Sequence, residues 1–173
     1  MKLNTKKIVL SGLFLALGIV LPFFTGQIKQ IGNMLLPMHI PVMICGFVCG
    51  WPYGLAVGFV TPLLRSALFG MPVMMPTAVA MAVELAVYGT VAGAMYRFLK
   101  ERKGGVYISL VTAMIAGRVA WGMVSVVLYG AMGNTFSWTL FVAGAFLNAI
   151  PGIVVQIILV PIIVLTLNKR KLV

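Results

Sequence analysis

The sequence predicts an all-α integral membrane protein: one domain over residues 1–173, six transmembrane helices, and both termini in the cytoplasm. Three observations carry this. The chain is 62% hydrophobic with only two acidic side chains, too little charged surface for a soluble globule. Its thirteen lysines and arginines fall almost entirely into three short clusters, Lys2/Lys6/Lys7, Arg97/Lys100/Arg102/Lys103 and Lys169/Arg170/Lys171. Glycine and proline punctuate the apolar sequence between the clusters at intervals suited to helices of about 20 residues. The positive-inside rule puts all three clusters on the cytoplasmic side, so the chain crosses an even number of times between consecutive clusters.

Span one covers 8–24 and exits. No small-residue cleavage site follows at Phe23-Phe24-Thr25-Gly26-Gln27, so it is a retained span rather than a secretory signal. Gly12-x-x-x-Ala16, flanked by Ser11, is a small-xxx-small pattern that offers a flat docking stripe to a partner membrane protein. The outer segment Thr25–Met38 carries Gln27, Lys29, Gln30 and Asn33 with Gly26, Gly32 and Pro37. That composition suits a lid folding over a pocket, and equally a solvated connector. Span two, 37–50, returns; at about 14 residues it is short for a bilayer and calls for tilt or shielding by its neighbours. Its Cys45 and Cys49 read as buried thiols, since four residues along a helix is not disulfide geometry. Span three, 53–69, exits; span four, 76–98, returns into the central basic loop; span five, 106–131, exits. Span six, 137–167, ends inside. It is too long for a core of about 30 Å, and kinks are expected at Pro151 and Pro161. Every basic cluster lands on one face only if the count is even.

Charges inside the spans point next to function, because an ionised side chain at bilayer depth costs roughly 2.5–3.5 kcal/mol. Arg65, Glu84 and Arg118 are such residues. Glu84 neutralises one arginine; the other needs water, lipid phosphate, a carbonyl cage or an anionic ligand. The residues therefore suit an outward-opening pocket for a carboxylate- or phosphate-bearing solute, or an Arg–Glu clamp between helices with the second arginine snorkelling. Asn148, Gly152 and Gln156 recur at i, i+4, i+8 on the last span, as a pocket wall or as interhelical hydrogen bonds. Tyr88, Trp121 and Trp138 offer aromatic faces to a ring-bearing ligand, or simple packing.

Other classes are disfavoured. The net charge of +11 sits at span ends without interleaved aromatic surface, which argues for anionic lipid over nucleic acid. No phosphate-binding G-x-x-x-x-G-K-[ST] loop is present, so ATP hydrolysis is not expected of this chain. A lone His39, the absence of a G-x-S-x-G elbow and the lack of acidic clusters speak against an enzyme, a metal site and a cofactor. Two carboxylates do not make a proton relay across a membrane, which weakens a secondary carrier.

The stretch Leu36-Pro-Met-His-Ile-Pro-Val-Met-Ile-Cys-Gly-Phe-Val-Cys-Gly50, and Gly70-Met-Pro-Val-Met-Met-Pro with Glu84-Leu-Ala-Val-Tyr-Gly89, set in a short six-span chain with a small-residue first span, resembles the substrate-binding S component of energy-coupling factor (ECF) transporters. The likeness is to the branch that takes pantothenate and related vitamins. It implies a high-affinity vitamin-binding subunit of the cell membrane that captures its ligand at the outer face. That subunit topples when it joins a transmembrane T component and two cytoplasmic ABC ATPases, which supply the hydrolysis. The family's A-x-x-x-A docking pattern maps onto Gly12 and Ala16, with glycine in place of the first alanine. Its ligand sites implicate Gln30, Asn33, His39, Glu84, Arg118 and Asn148; Tyr88 and Trp121 join the candidate site on their aromatic faces alone. A small anionic vitamin such as pantothenate is favoured by the unbalanced arginine; riboflavin, cobalamin or another precursor stays open. So do a structural or assembly membrane protein and a secondary carrier.

Overall fold

Glycine, rather than large apolar side chains, occupies the closest contacts between the central helices. A computed structural model describes residues 4–25, 34–135, 137–145 and 147–169. Among these the regular elements are helical: α1 (Thr5–Thr25), α2 (His39–Cys49), α3 (Trp51–Phe69), α4 (Val79–Leu99), α5 (Gly105–Ala131), α6 (Trp138–Ala145) and α7 (Ile150–Lys169). A π-helical turn at Met74–Ala78 leads into α4, and a 3-10 turn at Leu147–Ala149 precedes α7.

Among the described residues four helical segments are long and apolar enough to cross a membrane: Thr5–Thr25, Met74–Leu99, Gly105–Ala131 and Ile150–Lys169. α3 has 19 residues but carries Pro52, Thr61, Pro62, Arg65 and Ser66 among its apolar ones. α2 has 11 residues, about 16 Å at 1.5 Å per residue, and falls well short of a hydrocarbon core. Every residue from Pro41 to Cys49 is buried, so α2 runs through the middle of the bundle, against α1, α3, α4 and α7. A short helix is tolerable there because protein, not lipid, surrounds its ends.

The bundle is apolar on the outside. On α5 the buried positions include Ser109, Ala113, Gly117, Arg118, Gly122 and Ser125, while Val111, Ile115, Val119, Met123, Val126 and Val127 face outward. On α7, Gly152 and Gln156 are buried while Val154, Ile158, Ile162 and Leu165 are exposed. This arrangement is the reverse of a water-soluble protein, and it is what a hydrocarbon solvent selects. Lipid gives no hydrophobic reward for burying leucine, so close packing of small residues and internal polar contacts hold the helices together.

Close packing is most pronounced where α2, α3 and α4 meet. A Cβ on Gly89 would lie 2.3 Å from the Gly54 carbonyl oxygen, and one on Gly58 would lie 2.3 Å from that of Leu85. Gly46 and Gly93 interlock in the same way. Residues 46, 50, 54 and 58 thus continue a four-residue glycine repeat across the joint between α2 and α3, of which Gly46 and Gly54 meet the Gly89-x-x-x-Gly93 pair on α4 and Gly58 meets Leu85 one turn before it. The joint is Gly50 alone, at φ 99°, a conformation that penalises any Cβ. Its N–H closes on the Gly46 carbonyl and Pro52 follows within the first turn of α3, where a missing N–H costs nothing.

The run expected as one kinked sixth span is two helices. The chain is α-helical to Ala145, tightens at Leu147–Ala149, and resumes at Ile150. Pro151 is the second residue of α7, a position it favours, and does not kink a continuous helix; Pro161 alone lies inside α7.

Candidate functional site

The sequence-predicted residues His39, Glu84, Tyr88 and Arg118 converge in the bundle interior. His39 opens α2, its N–H donating to the Leu36 carbonyl at 3.1 Å after a turn in which Leu36 takes φ 49°. Glu84 and Tyr88, four residues apart, share a face of α4. Arg118 reaches them from α5. Its Nη1 forms an ion pair with Glu84 Oε1 at 2.9 Å, and His39 Nε2 lies 3.5 Å from the same oxygen. The His39 and Tyr88 rings meet edge to face at 5.2 Å. Gly117 makes room: a Cβ there would sit 2.6 Å from the Tyr88 ring carbons. The exposures are 1% for His39, 2% for Glu84, 0% for Tyr88 and 6% for Arg118.

Polar atoms in this interior outnumber their partners. Among the described residues, both ring nitrogens of His39, Glu84 Oε1, Tyr88 Oη, Arg118 Nε and Nη2, and both amide atoms of Gln156 are buried without a hydrogen bond. Gln156, fully buried on α7, belongs to a helix packed against α2 and α5, the elements that carry His39 and Arg118. An unmade bond to such a group costs about 1–3 kcal/mol, so a fold that keeps several is poised for guests, whether ordered water or a ligand. The pattern at Arg118 is specific. Nη1 pairs with Glu84, while Nε and Nη2, which together form the side-on edge of the guanidinium, make no hydrogen bond among the described residues. That edge matches two carboxylate oxygens.

Arg65 stands apart from this cluster. Its Nη1 donates to the Ile19 carbonyl of α1, and its guanidinium lies 4.6 Å from the Phe23 ring and 5.8 Å from the Phe69 ring. The two rings meet edge to face at 4.9 Å. Of the destinations open to the surplus cation, a carbonyl and two π faces are the ones it occupies. The surplus charge is therefore spent in joining α1 to α3.

The remaining predicted residues divide. Gln30 and Asn33 lie outside the described residues, and Asn148 falls in the 3-10 turn before α7, its side chain likewise outside the description. Trp121, one turn along α5 from Arg118, stacks on Phe141 of α6 at 6.2 Å, and Phe141 in turn meets Trp138 at 5.2 Å. Gly144 gives the Trp121 ring its seat. On α1, Gly12 and Ala16 face outward, with nothing within 4 Å of a Cβ on Gly12. Ser11 turns inward: its hydroxyl donates to the Lys7 carbonyl at 2.6 Å and receives the Cys45 thiol at 3.9 Å. Sequence reasoning passed over Gly117, the glycine next to Arg118 that seats the Tyr88 ring. Among the described residues no group of three or more His, Cys, Asp or Glu gathers to hold a metal.

A helical bundle with an apolar exterior and a charged, incompletely paired interior is a multi-pass membrane protein with a polar centre rather than a polar surface. The family model of the ECF transporter, substrate-specific component, matches residues 6–164, and the chain belongs to that family. Its members are the substrate-binding subunits of vitamin transporters, not enzymes, and they work with a T component and ATPases. No curated protein and no solved structure matches the chain.

Proposed function

We propose that this chain captures a small vitamin bearing a carboxylate, pantothenate being the leading case, at the outer face of the cytoplasmic membrane, and releases it inside by toppling on the T component. The observation that carries this reading is the Nε/Nη2 edge of Arg118, which makes no hydrogen bond among the described residues and is buried beside Glu84 and His39. Gln156, with donor and acceptor both unpaired, is suited to an amide such as the one in pantothenate. Glu84 holds the guanidinium in place and His39 supplies a further donor. Tyr88 and Trp121 are proposed to supply the aromatic side, and Gln30, Asn33 and Asn148 are further proposed ligand-binding residues.

Six crossings fit this reading: α1, α2, α3, α4 with its π-helical entry, α5, and α6 with α7. The basic loop after α4 lies inside with both termini. Glu84 stands 16 residues before Lys100, about 24 Å along the helix, which puts the cluster in the outer half of the membrane. Gly12 and Ala16, on the lipid-facing stripe of α1, are the proposed docking surface for the T component; Ser11 borders that stripe from the inner side.

The test is a binding titration of the purified chain with pantothenate, with its analogue reduced from carboxylate to alcohol, and with riboflavin and cobalamin. Pantothenate is expected to bind one to one, and the alcohol at least about a hundredfold more weakly, in line with the loss of a bidentate charged pair. Arg118→Lys keeps the charge but loses the side-on edge, and is expected to bind pantothenate as poorly as the wild type binds the alcohol. Equal affinity for acid and alcohol, or tight binding of riboflavin or cobalamin instead, refutes the carboxylate reading.

A further inference from the structure

A recess lies at the other end of the molecule from the Glu84 cluster, beside the basic loop between α4 and α5. It has a volume of about 460 Å³, within the range of sites that hold small molecules. Lys100 and Arg102 stand on its wall with Gly104, Val106 and Tyr107 at the start of α5. No side chain caps that helix end, so its first-turn N–H groups and the positive end of the helix dipole add to the two cations. The opposite wall is fixed, because Asn168 of α7 donates to the Tyr96 hydroxyl of α4 at 2.6 Å. Glu101, the acidic residue of the loop, is exposed and not part of the wall.

A second recess, more open and of about 600 Å³, shares Leu165 and Asn168 with the first, continues along α7 past Ile162 and Thr166, and has Lys169 at its head end. Ile162 and Leu165 lie on the lipid-facing side of that helix, 56% and 46% exposed. The two recesses together thus have a cationic head end at the membrane surface and an apolar groove directed into the hydrocarbon. A free inorganic anion would use only the first; a phospholipid uses both.

We propose that this site holds one anionic phospholipid from the leaflet bordering the loop, its phosphate between Lys100, Arg102 and the start of α5, and an acyl chain along Ile162 and Leu165. The site is separate from the vitamin cluster and needs neither its ligand nor its residues.

The test is native mass spectrometry of the purified full chain titrated with phosphatidylglycerol, phosphatidylcholine of the same chains, or glycerol 3-phosphate. The wild type is expected to retain one phosphatidylglycerol, at least about tenfold more tightly than phosphatidylcholine, with glycerol 3-phosphate far weaker than either. Two cations at a membrane surface are together worth about thirtyfold, so K100A/R102A is expected to lose roughly that factor, while K100R/R102K keeps the lipid. K6A/K7A, which removes as much charge elsewhere, is expected to bind as the wild type does. Equal retention of phosphatidylcholine, glycerol 3-phosphate binding as tightly as the lipid, or an equal loss in K6A/K7A would each overturn the proposal.

Discussion

The pair formed by Glu84 and Arg118 allows the sharpest test of the interior. Both side chains are buried and their contact is 2.9 Å, so Glu84→Gln strands a guanidinium in the bundle. Breaking a buried pair from one side costs about 3–5 kcal/mol. Polar partners inside membrane bundles soften such losses, which favours the lower end, about 3 kcal/mol. For a domain of this size each kcal/mol moves the midpoint by about 2–4 °C, so a drop of about 6–12 °C is expected. Arg118→Met should cost less, because His39 stands 3.5 Å from the stranded carboxylate and can share its charge. In the double variant E84Q/R118M neither charge remains, and most of the loss should return, giving a coupling energy of about 2–3 kcal/mol. Thermal unfolding of the four proteins in one detergent, without ligand, measures this. Additive single effects, with a coupling below about 0.5 kcal/mol, would refute the argument that the pair is buried and mutual.

Other substitutions separate packing from binding. Gly89→Ala places a Cβ 2.3 Å from the Gly54 carbonyl oxygen and should cost about 1–3 kcal/mol, read as a lower midpoint. Gly12→Leu meets nothing within 4 Å, so melting should stay within about 0.5 kcal/mol of wild type while co-purification with the T component and uptake are lost; retained uptake would dismiss the docking stripe. Arg65→Ala removes a charged hydrogen bond to Ile19 and two cation–π contacts, and should destabilise by about 1–3 kcal/mol. Vitamin affinity in that variant should be unchanged; a matching loss of affinity would place Arg65 in the site.

Much of this was legible in the sequence because the bilayer allows few arrangements. Apolar runs between basic clusters gave helices close to where they lie, and the rarity of charge at depth singled out Glu84 and Arg118. The partner of Glu84 was not legible. Arg65 and Arg118 were equivalent until the close approach of α1 and α3 put Ile19, Phe23 and Phe69 around one of them. The break before α7 was also missed. Proline inside an apolar run reads as a kink, whereas Pro151 sits where a new helix begins. The glycine repeat from 46 to 58 was passed over in the sequence, because its meaning depends on a second stripe, Gly89 and Gly93, on another helix. The small-residue signal noticed on α1 is the exposed one.

That contrast between glycine stripes bears on how the proposed capture would work. α4 is locked on one side, since its backbone touches α2 and α3 through Gly46, Gly54 and Gly58 with no side chain between, and Glu84 and Tyr88 cannot shift without parting those backbones. On the other side Arg118 is held by its bond to Glu84 and by Gly117 against Tyr88, while α6 rests on α5 through the rings of Trp121 and Phe141. Ring contacts slide where backbone contacts cannot, because aromatic pairs tolerate a wide range of offsets and angles. In the proposed capture, room for a guest at the Nε/Nη2 edge of Arg118 would therefore come at least cost from movement of α6 and the turn leading into α7. In the proposed capture, the glycine-packed trio would serve as the fixed wall against which the ligand is held.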